Sequence, residues 1–430
     1  MTRSNADSCP GVLRLHEAAD GPLARVRVPG GQLGAAGLQA LAEAAAELGD
    51  GALELTSRGN IQLRGIRDAA ALTERLGAAG LLPSATHERV RNIVASPLSG
   101  LAGGVADVRE LVPALDAGLR GALELAALPG RVLFTLDDGR GDVSGLGADI
   151  GLHAVEPGVF AMLLAGADSG IRVAAGDAVG LVLAAARAFA EIRGGGWRLA
   201  EVPDGAARVR ELLGFAGTAA GPVVPDPAEQ PPIGWLPQDD GLVALGAGVR
   251  LGVLPARTAL FVAAVERDVL VTPWRGLVLP GLDEWTAEQV VRVLAPMGLI
   301  FDAESPWVRV SSCAGAPGCA KSHTDVRADA TAAVESGRVL DAARQGDRGG
   351  ADTADERASA PQGRADVAAA AATAPASTTD TPAATGPVPA EEVEASGRQH
   401  WSGCERRCGH PRGPATDIVA GPDGYRVTEP

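Results

Sequence analysis

The spacing of apolar residues along the chain predicts short strands and amphipathic helices in a repeated order. In "LELTSRGNIQLRGI" (53–66), apolar and polar residues alternate on both sides of a polar turn, which is typical of two strands joined by a tight connection. An amphipathic helical pattern, "DAAALTERLGAAG", follows at once. The segment "VLVTPWRGLVLPGL" (269–282) has the same shape, and the helical pattern "EWTAEQVVRVLAPMG" follows it.

These segments belong to a longer internal repeat. Thr56 aligns with Thr272 without a gap, and beyond the second helix Arg91 falls opposite Arg309. Each copy begins with an earlier strand, "LARVRVPGG" or "LVALGAGVRLG", that leads into a helical stretch. The order strand, helix, strand, strand, helix therefore occurs twice and predicts helices packed on one face of a mainly antiparallel sheet. Chance similarity between two segments rich in Ala and Leu is the alternative.

Composition and charge narrow the class of protein. The chain has 430 residues, of which 46% are hydrophobic, and a formal net charge of −15, which argues against nucleic acid as a partner. The start of the sequence lacks the apolar core of a signal peptide, and no apolar run is long enough to span a membrane. We therefore expect a cytoplasmic protein. Lys321 is the only lysine, so an anion would be held mostly by arginine forks, which suit carboxylates.

Four of the five cysteines form two pairs, with the spacings C-x5-C in "SSCAGAPGCAKSH" and C-x3-C in "HWSGCERRCGH". A reducing compartment favours metal ligands or catalytic thiols over disulfides. An iron–sulfur cluster accepts such wide spacings on loops, whereas zinc knuckles use shorter ones. From spacing alone, a cluster is favoured, and zinc or neither stays open. Cys9 lies apart from both pairs, and we treat it as incidental.

The cysteine pattern and the repeated "TSRGNIQLRG" element resemble the sirohaem-type sulfite and nitrite reductase superfamily. More specifically, "CPGVLRLHEAADGPLARVRVPGG", "CAGAPGCAKSHTDVRADA" and "HWSGCERRCGHP" resemble the precorrin-3B synthase family. This resemblance implies an oxygen-dependent monooxygenase of cobalamin biosynthesis, which converts precorrin-3A to precorrin-3B by macrocycle hydroxylation with γ-lactone formation. A sirohaem-dependent sulfite or nitrite reductase is the alternative. A non-catalytic Fe–S electron carrier or tetrapyrrole-binding protein is the second alternative.

The resemblance implies an α+β fold with a duplicated nitrite/sulfite reductase-like architecture: two ferredoxin-like half-domains, two larger α/β halves and a 4Fe–4S cluster. The predicted units are a first ferredoxin-like half-domain at 10–88, a first cluster- and tetrapyrrole-domain-like half at 89–216, a linker at 217–235, a second ferredoxin-like half-domain at 236–303, and a second half with the four cysteines at 304–430. A low-complexity segment at about 343–397 is predicted to be a disordered insertion.

The resemblance also implies site residues. The cluster ligands would be Cys313, Cys319, Cys404 and Cys408. The residues that bind substrate carboxylates would be Arg58, Arg91 and Arg131, with Arg64 as a further candidate. Where the reductases carry a second anion-binding lysine, this chain has Leu133, which disfavours sulfite or nitrite as the substrate.

The resemblance implies further cofactors and partners. Beside the cluster it implies a mononuclear non-haem iron, but the six histidines show no readable ligand spacing, so no ligands are assigned. Sirohaem is expected only under the reductase alternative. The substrates would be precorrin-3A and O2. NADH would be an indirect electron source through a separate electron-donating reductase, because no dinucleotide-binding glycine motif follows a predicted strand.

Overall fold

The computed structural model of the protein describes residue 7, residues 9–215, residue 223, and residues 231–340 and 387–430. In the first part of the chain, the strands are β1 His16–Ala18, β2 Gly21–Val26, β3 Gln32–Leu33, β4 Ala52–Leu55, β5 Ile61–Leu63, β6 Ile93–Ala95, β7 Phe134–Asp137, β8 Ile150–Glu156, β9 Val159–Leu164 and β10 Ala167–Ala174. The helices there are α1 Ala35–Leu48, α2 Ala69–Ala78, α3 Leu111–Gly121, α4 Ala175–Ile192 and α5 Gly205–Leu212.

The second part of the chain repeats the alternation of strands and helices. Its strands are β11 Gly234–Pro237, β12 Val243–Val249, β13 Val253–Pro255, β14 Val269–Val271, β15 Gly276–Leu282, β16 Leu299–Ile300, β17 Val310–Ser312, β18 Val339–Leu340, β19 Ala395–Ser396, β20 Gln399–Ser402, β21 Thr416–Gly421 and β22 Gly424–Thr428. Its helices are α6 Ala256–Ala263, α7 Glu284–Leu294, α8 Pro306–Arg309 and α9 Val326–Glu335. Among the described helices, none has the length and apolar character needed to cross a bilayer.

Two of the sheets share one hydrophobic core and exchange edge strands. The first sheet has the order β1-β2-β5-β4-β13, and the second has the order β11-β12-β15-β14-β3. Strand β13 from the second part therefore pairs with β4, and β3 from the first part pairs with β14, both antiparallel. Helices α1 and α6 pack against each other over the common core. Both predicted hairpins are present, as β4–β5 and β14–β15.

Two other sheets show the same order of strand directions. Strands β6, β7 and β8 run parallel, and β9 returns antiparallel. Strands β17, β20 and β21 likewise run parallel, and β22 returns antiparallel. Helices α3 and α4 pack on the first of these sheets, and α9 packs on the second. Each sheet therefore has an edge at which the carboxyl ends of neighbouring parallel strands meet, and ligands commonly bind at such edges.

The two predicted connecting segments lie largely outside the described residues. Of the predicted linker at 217–235, the structure describes residues 223 and 231–235, and of the predicted insertion at 343–397 it describes residues 387–397. The latter stretch packs on the domain: β19 pairs with β18, and Val393 is buried. Arg338 Nη1 also donates to the carbonyls of Ala390 and Val393. The C-terminal end of the predicted insertion is therefore packed structure.

Candidate functional site

The cysteine pairs follow the carboxyl ends of two neighbouring parallel strands. Ser312, the last residue of β17, is in register with Trp401 of β20, so the segments after both strands begin side by side. The N–H of Cys313 donates to the carbonyl of Trp401 at 3.0 Å, and the N–H of Gly403 donates to Cys313 Sγ at 3.3 Å. Pairs that are far apart in sequence are therefore brought together by strand register.

The four thiols form one group. Partial burial raises the pKa of Cys408, and the neighbouring Cys313, Cys404 and Cys319 raise it further. Within the described ranges, no three of these sulfurs lie within 4.8 Å of one another. The sulfurs of a tetrahedral zinc site would be about 3.8 Å apart, given Zn–S bonds of about 2.3 Å. The arrangement is thus wider than a tetrahedral zinc site with four thiolate ligands.

Two buried hydroxyl groups lie next to the cysteines and have no partner. Ser312 immediately precedes Cys313, and Ser402 lies two residues before Cys404. Both Oγ atoms are buried without a hydrogen bond to any described residue. A buried unsatisfied hydroxyl carries a free-energy penalty. A cluster, whose sulfur atoms accept hydrogen bonds, would offer these two donors partners, so the residues present fit that group.

Arg64 holds the first cysteine loop in place and does not face the cleft described below. Its Nη2 donates to the carbonyl of Gly318, next to Cys319, at 2.8 Å. Its Nε donates to Asp20 at 2.7 Å, and the side chain is almost fully buried. The expectation that Arg64 binds a substrate carboxylate does not agree with this placement, because Asp20 already occupies the guanidinium.

A cleft of about 740 Å³ adjoins the cysteine segments at the meeting point of the hairpin turns and the other sheets. Its apolar wall includes Trp274 and Trp307. Its basic residues come from both hairpin turns, the end of α8 and the segments on either side of the second cysteine pair: Arg58, Arg275, Arg309, Arg398 and Arg412. Its acidic residues are Asp142 and Glu304. The cleft is therefore basic although the chain carries a net charge of −15.

Four of these guanidinium groups lack a carboxylate partner. Within the part of the chain that the structure describes, no carboxylate oxygen lies within 4.0 Å of Arg58, Arg275, Arg398 or Arg412. They donate to backbone carbonyls instead: Arg58 Nη1 to Arg131 at 3.0 Å, and Arg398 Nη1 to Arg412 at 2.9 Å. Burial, with a smaller effect of Arg198, lowers the pKa of Arg58 to about 10. Burial also lowers the pKa of the other three. A ligand with several carboxylates would stabilise these charges.

The other two predicted substrate-binding arginines lie outside this cleft lining. Arg91 is 6% exposed and donates to both carboxylate oxygens of Asp116 on α3, with Nη2 at 3.0 Å. It forms a buried structural ion pair, which does not agree with the prediction that it binds substrate. Arg131 lies over the ring of Trp197, 5.0 Å from its centroid, and its carbonyl accepts the bond from Arg58. Arg131 thus supports Arg58 rather than lining the cleft itself.

Sequence reasoning missed three cleft arginines. Arg398 and Arg412 flank the second cysteine pair in the sequence, and that proximity could have identified them. Arg275 was hidden because the gapless alignment places Trp274 opposite Arg58. Leu133, where the reductases have an anion-binding lysine, is also in the cleft lining.

Asp142 lies in the cleft wall, and its surroundings favour the uncharged form of its carboxyl. Ser96 Oγ donates to its carboxyl, and Arg140 Nε lies 3.8 Å away. Burial, followed by the charges of Asp137 and Asp138, raises the pKa of Asp142 to about 8. At neutral pH this carboxyl is mostly protonated, so it can donate a hydrogen bond or a proton into the cleft.

Asp142 also belongs to a cluster of three buried carboxylates with Asp137 and Asp138. Asp137 accepts hydrogen bonds from the backbone N–H groups of the turn 139–144, and Asp138 pairs with Arg140 at 2.8 Å. Hydrogen bonds and an ion pair within the turn thus satisfy Asp137 and Asp138, and we assign no iron to the three residues.

His410 and His400 lie between the cleft and the cysteines. His410 is in the cleft lining, and its Nε2 is 3.1 Å from Asp417. His400 is buried, and its Nε2 is 3.2 Å from the carbonyl of Cys408. Burial, followed by the charges of Arg275 and His410, lowers the pKa of His400 to about 3, so this imidazole stays neutral. His323 and Lys321 are exposed.

Comparison with known proteins agrees with the fold and the sequence resemblance. Residues 16–79 match the family described as the nitrite/sulfite reductase ferredoxin-like half domain. The solved structure of the Mycobacterium tuberculosis NirA protein superposes with a TM-score of 0.69 at 19% identity, over 94% of this chain and 73% of that one. The protein therefore has the mixed α/β fold of the nitrite/sulfite reductase type.

A relative points to a particular branch of this fold. The chain is 28% identical over 348 residues to precorrin-3B synthase from Sinorhizobium sp., which is 77% of this chain and 74% of that protein. Ferredoxin–nitrite reductases match over shorter parts: 38% identity over 127 residues for Synechococcus elongatus, or 25% of that protein, and 40% over 93 residues for Leptolyngbya laminosa, or 18%. The resemblance to precorrin-3B synthase, within the nitrite/sulfite reductase superfamily, is confirmed.

Proposed function

We propose that the protein is an oxygen-dependent monooxygenase of cobalamin biosynthesis that converts precorrin-3A to precorrin-3B. The observation that carries this proposal is the basic cleft beside the four cysteines. A precorrin has a broad ring and carboxylates around its rim, and these features match apolar walls bordered by unpaired guanidinium groups. The relative from Sinorhizobium, which bears the name of this activity, supports the same choice.

The cleft arginines would bind and orient the substrate. Arg58 and Arg275 project from the two hairpin turns, and Arg398 and Arg412 come from the segments around the second cysteine pair. Carboxylates bound from several sides would fix the position of the macrocycle relative to the cysteines. Holding a reactant in one orientation lowers the entropic part of the barrier. Trp274 and Trp307 would contact the ring and exclude water.

Cys313, Cys319, Cys404 and Cys408 would hold a 4Fe–4S cluster. When bound, such a cluster supplies electrons one at a time. Hydroxylation by O2 places one oxygen atom in the product and releases the other as water, which consumes two electrons and two protons. Asp142, protonated at neutral pH and located in the cleft wall, would supply a proton to that oxygen or to the substrate. The implied mononuclear iron has no assigned ligands.

The electrons would come from NADH through a separate reductase. Cys408 is exposed, so one edge of the cysteine group lies at the protein surface. An electron-transfer partner would approach the group at this exposed edge.

A repeated architecture is part of the proposal. The two hairpin sheets and the two parallel sheets would be pairs of equivalent units, as the matching strand orders suggest. The units would follow the predicted boundaries: ferredoxin-like half-domains at 10–88 and 236–303, and larger halves at 89–216 and 304–430.

A sirohaem-dependent nitrite or sulfite reductase is the second candidate, because two ferredoxin–nitrite reductases match parts of the chain. Leu133 in the cleft lining argues against it, since a small oxyanion would lose a cationic contact there. In the monooxygenase, by contrast, an apolar residue at this position would contact the ring of the substrate.

Purification without air, followed by assays of iron, acid-labile sulfide and extractable porphyrin, tests the proposal. We expect iron and sulfide without porphyrin, and O2-dependent formation of precorrin-3B from precorrin-3A when an electron donor is supplied. A sirohaem spectrum with extractable porphyrin would favour the reductase. Iron and sulfide without any O2-dependent product would favour an electron carrier, and zinc in place of iron would contradict the assignment of the cysteines.

A further inference from the structure

Arg275 occupies a backbone conformation that ordinarily favours glycine. Both hairpin turns close in the same way, with the N–H of Thr56 donating to Asn60 and the N–H of Thr272 donating to Gly276, each at 2.9 Å. The residue before the closing position is Gly59 in the first turn, with φ 63°, and Arg275 in the second, with φ 59°. A side chain in the left-handed region is disfavoured, and such positions persist where the side chain has a role.

The guanidinium of Arg275 connects the two cysteine segments. Its Nη1 donates to the carbonyl of Ser312 at 3.2 Å, immediately before Cys313. Its Nη2 donates to the carbonyl of Gly409 at 3.0 Å, immediately after Cys408. One planar fork thus binds the backbone beside the first and the last of the four cysteines.

Two glycines make room for this side chain. A Cβ atom at Gly409 would lie 2.6 Å from Arg275 Nη2, and one at Gly252 would lie 2.9 Å from its Cδ. Both positions therefore have to lack a side chain for the guanidinium to reach the two carbonyls. The position of the fork depends on three separate segments of the chain.

Arg275 also carries an isolated positive charge between the cleft and the cysteines. It belongs to the cleft lining, and no carboxylate of the described residues lies within 4.0 Å of it. Arginine stays protonated in proteins, so the charge is fixed. A fixed positive charge beside a redox centre stabilises the reduced state, which is the more negative one.

We propose that Arg275 is a positioning residue with two effects: it ties both cysteine segments to the cleft wall, and it raises the reduction potential of the centre that they form. This inference rests on the proposed function, because it takes the four cysteines to hold an iron–sulfur cluster. The equivalent position of the first hairpin turn is Gly59, which has no side chain and therefore cannot have this role.

The test compares the wild-type holoprotein with Arg275→Gly, Arg275→Lys and the control Arg58→Ala. Glycine removes the guanidinium and also relieves the backbone, so a strained turn cannot account for its effects. Lysine keeps the charge and loses the planar fork. Arg58→Ala removes a cleft arginine from the first hairpin turn that makes no bond to the cysteine segments. The measurements are iron and sulfide content, the midpoint potential from a redox titration followed by EPR, and the rate of iron loss to a chelator.

For Arg275→Gly we expect a more negative midpoint potential and iron loss that is at least about tenfold faster. The variant loses both hydrogen bonds of the fork, and the loss of one charge-assisted hydrogen bond alone corresponds to about that factor. Arg275→Lys should keep a potential close to that of the wild type and lose iron faster. Arg58→Ala should match the wild type in both measurements.

Failure of the inference and failure of the proposed function are distinguishable. Wild-type protein without iron and sulfide would overturn both. A wild-type cluster together with unchanged potential and iron loss in Arg275→Gly would overturn only the inference. Should Arg275→Gly accumulate without its cluster, Arg275→Lys decides: faster iron loss at a wild-type potential supports the inference, and wild-type behaviour in both measurements contradicts it.

Discussion

The role of Arg58 in binding a carboxylate can be tested directly by Arg58→Ala. Its guanidinium lies in the cleft, has no carboxylate partner among the described residues, and makes one hydrogen bond to the carbonyl of Arg131. A hydrogen bond to a charged group contributes about 1.5–3 kcal/mol. We therefore expect the variant to bind a tetrapyrrole polycarboxylate about 10- to 150-fold more weakly, since about 1.4 kcal/mol corresponds to a factor of ten.

Isothermal titration calorimetry with uroporphyrin, a stable tetrapyrrole with carboxylates around its rim, would measure this change. Arg187→Ala is a matched control, because Arg187 is about half exposed and pairs with Glu124 on the surface. The control should bind like the wild type, and raising the salt concentration should weaken binding to the wild type more than to Arg58→Ala. Equal affinity of Arg58→Ala and wild type would remove Arg58 from the site. The variant should keep its iron content, since Arg58 makes no hydrogen bond to the described cysteine segments.

Three further outcomes follow from the structure. Arg91→Ala should lower the free energy of unfolding by about 3–5 kcal/mol in urea denaturation, because it leaves Asp116 buried with only the partly exposed Arg120 as partner. Arg187→Ala, which removes an exposed surface pair, should leave the free energy of unfolding nearly unchanged. A small effect for Arg91→Ala would contradict the buried pair. Since the pKa of Asp142 is raised to about 8, its contribution to stability is present in acid and is lost as the pH rises through that value. Asp142→Asn should therefore show a smaller loss of melting temperature between the ordinary carboxyl pKa of 3.8 and about pH 8 than the wild type, and parallel curves would refute the raised pKa. Cys408→Ser should lose iron and sulfide while Cys9→Ser keeps both, and retention by Cys408→Ser would exclude Cys408 as a ligand.

Local patterns in the sequence predicted the hairpins, but not the strand exchange between the two sheets. The hairpins at 53–66 and 269–282 alternate in hydrophobicity over enough residues to reveal their period. Strands β3 and β13 contain two and three residues, and such short strands cannot show a repeating pattern of hydrophobic residues. Their partners lie in the other half of the chain, so no local preference indicates them. Only the packing of α1 against α6 over one core brings these edges together.

The same contrast holds for the candidate site. The spacing of the cysteines predicted two pairs that act together, and the parallel register of β17 and β20 supplies the proximity. For the arginines, sequence position was a weaker guide. Arg91 and Arg309 both precede the first strand of a parallel sheet, yet Arg91 is buried against Asp116, whereas Arg309 lies in the cleft lining. The difference comes from an aspartate on a distant helix, which no pattern around Arg91 could reveal.

The distribution of charge explains why an acidic protein can bind an acidic ligand. Outside the cleft, Arg64, Arg91 and Arg187 are each neutralised by a carboxylate of the chain. The four arginines without such partners are gathered in one cleft, where burial disfavours their charge. In the folded protein without a ligand, these buried positive charges therefore lower the stability. A ligand whose carboxylates pair with the arginines offsets this cost. Because such a ligand binds the folded chain and not the unfolded one, it raises the free energy of unfolding by an amount set by its affinity and its concentration.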